Sequence, residues 1–212
     1  IAILGGTSYE WIVSFLAIAC SNNVVIPLDK MLPKTDIYNL LDMGDVDFIL
    51  YSNEFASYFH DYTENRELLC FTDVRFTDAM KTEAEELPVI NPKEMAELLF
   101  TSGTTGMSKG VMLSQENIIA NINEIYRLDY ASNVKGQPVV MSVLPIHHTF
   151  ELTVDNLGTL NCGATICIND KMENIVSNMQ LFKPAVILVV PAIAEVFYKK
   201  LKEAMSKGKE KR

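Results

Sequence analysis

The chain has 212 residues, of which 49% are hydrophobic and 21% are charged, so it can bury a sizeable core. Its net charge of −9 argues against nucleic acid as a partner, because a phosphate backbone requires a basic protein surface. No apolar run reaches the roughly 18 residues that a membrane span needs, and the N-terminus lacks the basic region of a signal peptide.

Alternating strands and helices predict a parallel α/β sheet in residues 1–71. Ile1–Leu4 predicts a strand, and Thr7 or Ser8 can cap a helix whose apolar residues recur at helical spacing from Trp11 to Ala19. Val24–Leu28 predicts the next strand and completes a β-α-β unit. The same alternation predicts a helix near Asp36–Met43, a strand at Val46–Tyr51, a helix around Phe55–Phe59 and a strand at Leu68–Phe71.

The pattern weakens over residues 72–97, where Glu83, Glu85 and Glu86 cluster. Acidic clusters of this kind usually mark a solvated surface. We therefore expect an acidic connection here, followed by a second α/β portion over residues 98–212.

The second portion repeats the alternation. Its predicted strands are Leu98–Phe100, Val111–Leu113, Pro138–Leu144, Ala164–Ile168 and Ala185–Val190. Its predicted helices are one capped by Ser114, with Ile118, Ile119, Ile122 and Ile125 as the buried stripe, and those at Thr149–Leu160, Met172–Phe182 and Ala192–Met205. The four cysteines, Cys20, Cys70, Cys162 and Cys167, form no CxxC pair, which indicates reduced core thiols in a cytoplasmic protein.

The segment from Thr101 to Gly110 is the strongest functional signal. It reads Thr-Ser-Gly-Thr-Thr-Gly-Met-Ser-Lys-Gly and contains no acid. Backbone N–H groups freed by its glycines, its hydroxyls and the charge of Lys109 can wrap a polyphosphate. A Walker loop is excluded, because Gly110 follows the lysine in place of a hydroxyl residue and a strand replaces the helix. An ordinary surface loop remains the alternative.

Two of the three histidines lie in Leu144–Glu151, which reads Leu-Pro-Ile-His-His-Thr-Phe-Glu. The segment follows a predicted strand, and open α/β sheets bind ligands at the carboxyl ends of their strands. Adjacent histidines can bind a metal, but no third ligand lies nearby in sequence. From the residues alone, structural and functional roles for His147 and His148 are equally compatible with the pattern.

The Thr101–Gly110 segment resembles the phosphate loop of the adenylate-forming (AMP-binding) superfamily, which includes acyl-CoA synthetases, peptide-synthetase adenylation domains and luciferases. Ser108 stands where that superfamily usually has proline, which predicts a looser backbone in the empty loop. Leu144–Glu151 is similar to the family's next motif, Leu-Pro-x-x-His. Within it, His147, Phe150 and Glu151 resemble the version found in long-chain fatty acyl-CoA synthetases.

The resemblance implies stacked layers of mostly parallel β-sheet with helices on both faces, in which both portions belong to one larger N-terminal domain. It implies that ATP is held by Thr101, Ser102, Gly103, Thr104, Thr105, Gly106, Ser108, Lys109 and Gly110, with Thr104 also a magnesium ligand. It places His148 in the catalytic site, where it shapes the acyl and adenylate pocket. The implied cofactors are ATP, Mg²⁺ and coenzyme A.

These features predict a parent protein that activates a fatty acid as acyl-AMP and transfers the acyl group to coenzyme A. The family's adenine, ribose and catalytic-lysine motifs lie outside this sequence, so we expect the 212 residues alone to be inactive. An amino-acid-activating adenylation domain and a noncatalytic nucleotide-binding module remain alternatives. The expected location is the cytoplasm, and peripheral membrane contact is left open.

Overall fold

The computed structural model describes residues 1–62, 66–83, 86–102, 108–127 and 137–209. The strands in these ranges are β1 (Ala2–Leu4), β2 (Ile26–Leu28), β3 (Phe48–Tyr51), β4 (Glu67–Cys70), β5 (Met95–Ser102), β6 (Ser108–Ser114), β7 (Val139–Ser142), β8 (Thr165–Ile168) and β9 (Val186–Ile187). The helices are α1 (Tyr9–Ala19), α2 (Lys34–Met43), α3 (Ala56–Phe59), α4 (Val74–Ala79), α5 (Gln115–Arg127), a π-helix (Phe150–Leu157), α6 (Gly158–Asn161), α7 (Ile175–Phe182) and α8 (Pro191–Lys209). Short 3₁₀ turns at Asn53–Phe55 and Met172–Asn174 lead into α3 and α7.

The first sheet has the strand order β2-β1-β3-β4, and all of its strands are parallel. Helix α1 begins as predicted, since Trp11 N–H donates to Ser8 Oγ at 3.1 Å. Trp11 belongs to the core on one face of the sheet, while Ile37 and Leu41 of α2 belong to the core on the other face. The predicted α/β fold with helices on both faces is confirmed.

The second sheet is also parallel, with the order β8-β7-β9, and β5 and β6 form an antiparallel hairpin. Val25 connects this hairpin to the first sheet. Val25 N–H donates to the Ala96 carbonyl, and Leu98 N–H donates to the Val25 carbonyl, both at 2.9 Å. Because the chain runs in the same direction on both sides of this bridge, Asp29 and Thr101 are carried towards the same end of the molecule.

One hydrophobic core crosses the predicted boundary between the two portions of the chain. It contains Trp11 and Phe15 of α1 together with Ala96 of the predicted connection and Ile118 and Leu152 of the second portion. Whether residues 72–97 separate two portions of the chain stays a prediction, which an unfolding experiment can test.

Residues 72–97 are not a solvated connection throughout. Asp73 accepts a hydrogen bond from Arg75 N–H at 2.8 Å and starts α4, which buries Phe76. At the other end, Glu97 lies in β5 opposite Leu113 and is fully buried. The acid-rich composition concealed both features. A short helix needs only one cap and one buried aromatic residue, and the burial of Glu97 results from strand pairing.

In the predicted isoleucine stripe of α5, Ile118 and Ile125 are buried and Ile122 is half-buried, but Ile119 is 49% exposed. Successive helical residues are rotated by about 100°, so the neighbour of buried Ile118 points away from the core. The predicted cap is confirmed, since Asn117 N–H donates to Ser114 Oγ at 3.3 Å.

Three further expectations differ in detail. The helix predicted at Thr149–Leu160 has a wider π-helical turn over Phe150–Leu157, and the strand predicted at Ala185–Val190 pairs only at Val186–Ile187. The cysteines are free thiols, as expected, but they are half-buried and not fully in the core.

None of the helices in the described ranges combines the length and the apolar character that a membrane crossing needs.

Candidate functional site

The end of the β5–β6 hairpin at which β5 stops and β6 begins carries the predicted phosphate-binding segment. Thr101 lies opposite Lys109, and Ser102 lies opposite Ser108. Thr101 and Lys109 are exposed, and Ser108 is half-buried. Gly103, Thr104, Thr105 and Gly106 lie outside the described residues, so their predicted roles, including Thr104 as a magnesium ligand, remain predictions.

Gly110 lies inside β6, opposite Phe100. A Cβ atom at this position would lie 3.0 Å from Leu98 Cδ1. This close approach gives a packing reason for glycine, and a role for Gly110 in phosphate binding stays a prediction.

The segment Pro145–Thr149, which we call the histidine turn, connects β7 to the π-helix. His148 N–H donates to the Pro145 carbonyl at 3.1 Å, and Leu152 N–H donates to the His148 carbonyl at 2.9 Å. Ile146 is buried in the core, so the turn is anchored between its two ends. His148 is exposed, whereas the side chain of His147 is largely buried.

His147 lies between a carboxylate and the second histidine. Its Nε2 is 3.6 Å from Asp29 Oδ1, and its ring centroid is 4.1 Å from that of His148. Burial lowers the pKa of His147 to about 4, Asp29 opposes this change, and His148 and Lys30 add to it. His147 is therefore a neutral imidazole at physiological pH, packed against the ring that the sequence analysis places in the catalytic site.

The titration of His147 can be measured directly, and we expect its NMR resonances to stay those of a neutral ring down to about pH 4. Replacing Asp29 by asparagine should lower this pKa further, because the charge of Asp29 favours the imidazolium. The folded-state pKa lies below the ordinary value of 6.5, so the unfolded chain binds the proton first and this group reduces stability as the pH falls from about 6.5 to 4. A His147 resonance that titrates near pH 6.5 in the folded chain would contradict the expectation.

The two predicted motifs line the same cleft, which has a volume of about 280 Å³. Thr101 and Ser108 of the hairpin lie on one side, and His147, His148 and Thr149 lie on the other. The apolar part of the wall comes from Pro27, Leu32, Leu40, Leu99 and Phe100. The structure thus brings together the hairpin end and the histidine turn, which are far apart in sequence.

A second cleft of about 530 Å³ adjoins the first, and His147 borders both. Its walls include Gly5 after β1, Lys30 after β2, Val143 after β7 and Asn169 after β8. These positions follow the carboxyl ends of parallel strands, where open α/β sheets bind ligands.

Asp29 and Lys30 border these clefts, although no role was predicted for either residue from the sequence. The available signal was a pair of charged residues directly after a buried strand. Asp29 Oδ1 accepts from Met31 N–H at 2.8 Å, so the turn after β2 holds this carboxylate in place.

The donors at the hairpin end fit a polyphosphate. Thr101 and Ser108 provide hydroxyls, and Lys109 provides a positive charge on the adjacent strand. Within the described ranges, no cluster of three or more His, Cys, Asp or Glu side chains could hold a metal ion.

The comparison with known families decides the identity of the chain. Residues 1–212 match the family of AMP-binding enzymes over their whole length. The chain belongs to this family. The resemblance to the AMP-binding superfamily that the hairpin and histidine motifs predicted is therefore confirmed.

Individual relatives agree with this assignment. Long chain acyl-CoA synthetase 3 of Arabidopsis thaliana is 25% identical over 97% of this chain, and the chain spans only 35% of that protein's length. Nonribosomal peptide synthetase cm3A of Cordyceps militaris is 26% identical over 86% of this chain, which spans 4% of it. In structure, a long-chain-fatty-acid-CoA ligase (FadD1) from Archaeoglobus fulgidus matches 95% of this chain and 42% of its own with a TM-score of 0.82 and 19% identity.

Proposed function

We propose that this AMP-binding chain forms the phosphate-binding and acyl-binding wall of an ATP-dependent fatty-acid–CoA ligase. The observation that carries the proposal is the shared cleft, in which hydroxyls beside the loop face His147 and His148. The reaction would join the fatty-acid carboxylate to the α-phosphorus of ATP with release of pyrophosphate, and coenzyme A thiol would then displace AMP.

The chain's residues would act mainly by positioning ATP and the acid and by neutralising charge, because the attack of the carboxylate on the α-phosphorus needs little covalent catalysis from the protein. Thr101, Ser108 and Lys109 would hold the phosphate oxygens from the hairpin side. Bound Mg²⁺ would neutralise phosphate charge, with Thr104 as its proposed protein ligand. His148 would border the carboxylate of the acid, and neutral His147 behind it would add no positive charge.

The preference for a fatty acid rests on two observations. Residues His147, Phe150 and Glu151 match the long-chain version of the histidine motif, and the relative in Arabidopsis thaliana carries a long-chain acyl-CoA synthetase name. The match to a peptide synthetase favours amino-acid activation as the second candidate.

ATP–pyrophosphate exchange with the complete gene product separates these candidates. We expect exchange that depends on fatty acids and not on amino acids. Exchange that depends only on amino acids would favour the second candidate, and no exchange with either acid class would contradict both.

The phosphate role of Lys109 has a matched test in the same assay. Replacing Lys109 by methionine removes a charge-assisted phosphate contact, which is worth roughly 1.5–3 kcal/mol, so kcat/KM for ATP should fall about 10- to 100-fold. Replacing Lys93, an exposed lysine in the segment before β5, by methionine should leave the value unchanged. Equal values for the two variants would remove Lys109 from the proposal.

A further inference from the structure

The π-helix buries polar side chains to which the proposed reaction assigns no role. Glu151 is 0% exposed and Asp155 is 1% exposed, and Asn156 is buried with them. Burying two carboxyl groups is costly unless each finds a hydrogen-bond partner. The partners of each group therefore indicate what the pair does.

Glu151 connects the π-helix to the chain segment that leaves β7. Ser142 Oγ donates a hydrogen bond to Glu151 Oε1. The backbone N–H groups of Leu144 and Val143 also favour the charged form of this carboxyl. Three consecutive residues at the start of the segment thus interact with one carboxylate.

Asp155 is buried near Glu151 in the same helix. Burial, followed by the nearby charge of Glu151, raises the pKa of Asp155 to about 8. Burial also raises the pKa of Glu151, and its hydrogen bond from Ser142 opposes that change. Two adjacent buried carboxyl groups disfavour each other's ionisation.

The contacts of Glu151 close a loop around the histidine turn. The Ser142–Glu151 hydrogen bond joins the residues on either side of it, and Asn156 Nδ2 donates to the Glu151 carbonyl at 2.9 Å, which supports the wide helical turn. We propose that Glu151 is a positioning residue that clamps the end of β7 to the π-helix and so fixes the orientation of His147 and His148. Its effect on turnover rests on the proposed function, but the clamp itself does not.

Histidine NMR on the 212-residue chain tests the clamp without any enzymatic activity. The sequence has three histidines, and His60, whose side chain is 83% exposed, serves as an internal reference. In Glu151→Met, which keeps the side-chain length but removes the acceptor, the resonances of His147 and His148 should shift. The pKa of His147 should move from about 4 towards 6.5 as its packing loosens.

Conservative and control variants separate clamping from general stability. Glu151→Gln should retain the native histidine spectrum, because its amide oxygen still accepts from Ser142 and its NH₂ group can donate to Asp155. Thr159→Val changes another fully buried polar side chain, in α6, and should leave all three histidines unchanged. If both controls keep the native spectrum while Glu151→Met does not, the clamp is supported.

An unchanged His147 pKa and unchanged resonances in folded Glu151→Met would overturn the proposal. If this variant does not fold, Ser142→Ala decides, because it removes only the donor on the strand side. Shifted His147 and His148 resonances in Ser142→Ala would support the clamp, and a native spectrum would overturn it. Pyrophosphate exchange with the complete gene product is a separate readout, so failure of the clamp and failure of the proposed function give different results.

Discussion

Replacing Glu97 by methionine should raise the free energy of unfolding by about 3 kcal/mol at alkaline pH. Glu97 is 0% exposed, and neither carboxylate oxygen has a hydrogen-bond partner among the described residues. Burial raises the pKa of Glu97 from 4.5 to about 7. Above pH 7 the folded chain must keep an ionised carboxylate in an apolar site, and methionine fills a similar volume without that cost.

The effect should depend on pH with a defined sign. Between about pH 4.5 and 7, the folded chain keeps the Glu97 proton that the unfolded chain has released. Stability therefore falls as the pH rises through this window, by about 1.4 kcal/mol per pH unit from this group. The stability difference between Glu97→Met and the unmodified chain should grow over the same window and then level off.

Urea unfolding at several pH values measures this difference. Glu97→Gln is the matched control, because it removes the titration but keeps a buried polar group, so its profile should run parallel to that of the methionine variant. Glu94→Gln changes an exposed glutamate of the same strand region and should keep the pH dependence of the unmodified chain. Parallel profiles for Glu97→Met and the unmodified chain would show that Glu97 does not titrate in this way.

Glu97 also illustrates where local sequence patterns fail. Helix α1 was predictable because its cap, Ser8, and its apolar spacing lie within one short segment. The burial of Glu97 depends on β5 joining Val25 from the first sheet. No window around residue 97 contains that partner, and the nearby acids suggested a solvated segment.

The candidate site was likewise predictable from local sequence only in part. The hairpin and the histidine turn each carry a contiguous motif, so both were found from sequence. Their meeting with Asp29 in one cleft depends on how the strands assemble. The helix predicted at Thr149–Leu160 carried no signal for the π-helical turn that the structure has over Phe150–Leu157, a helix type that is rare.

Replacing Trp11 by alanine should lower the free energy of unfolding by about 3–5 kcal/mol, the usual cost of removing a large buried aromatic side chain. Trp11 is 0% exposed and stacks on Phe15 with ring centroids 5.9 Å apart. Tyr9→Ala is the control in the same helix, because Tyr9 is 64% exposed and its loss should change stability by less than about 0.5 kcal/mol.

The same variant tests whether residues 1–71 and 98–212 unfold together. Trp11 belongs to a core that includes Ile118 and Leu152, so its removal weakens packing on both sides of the predicted boundary. In one cooperative unit, amide hydrogen exchange should accelerate equally in β1 and in β7, the central strands of the two sheets. If β7 keeps its protection while β1 loses it, the portions are separate folding units. Equal acceleration would mean that α1 stabilises the sheet bearing the histidine turn, so that mutations far from the cleft alter its geometry.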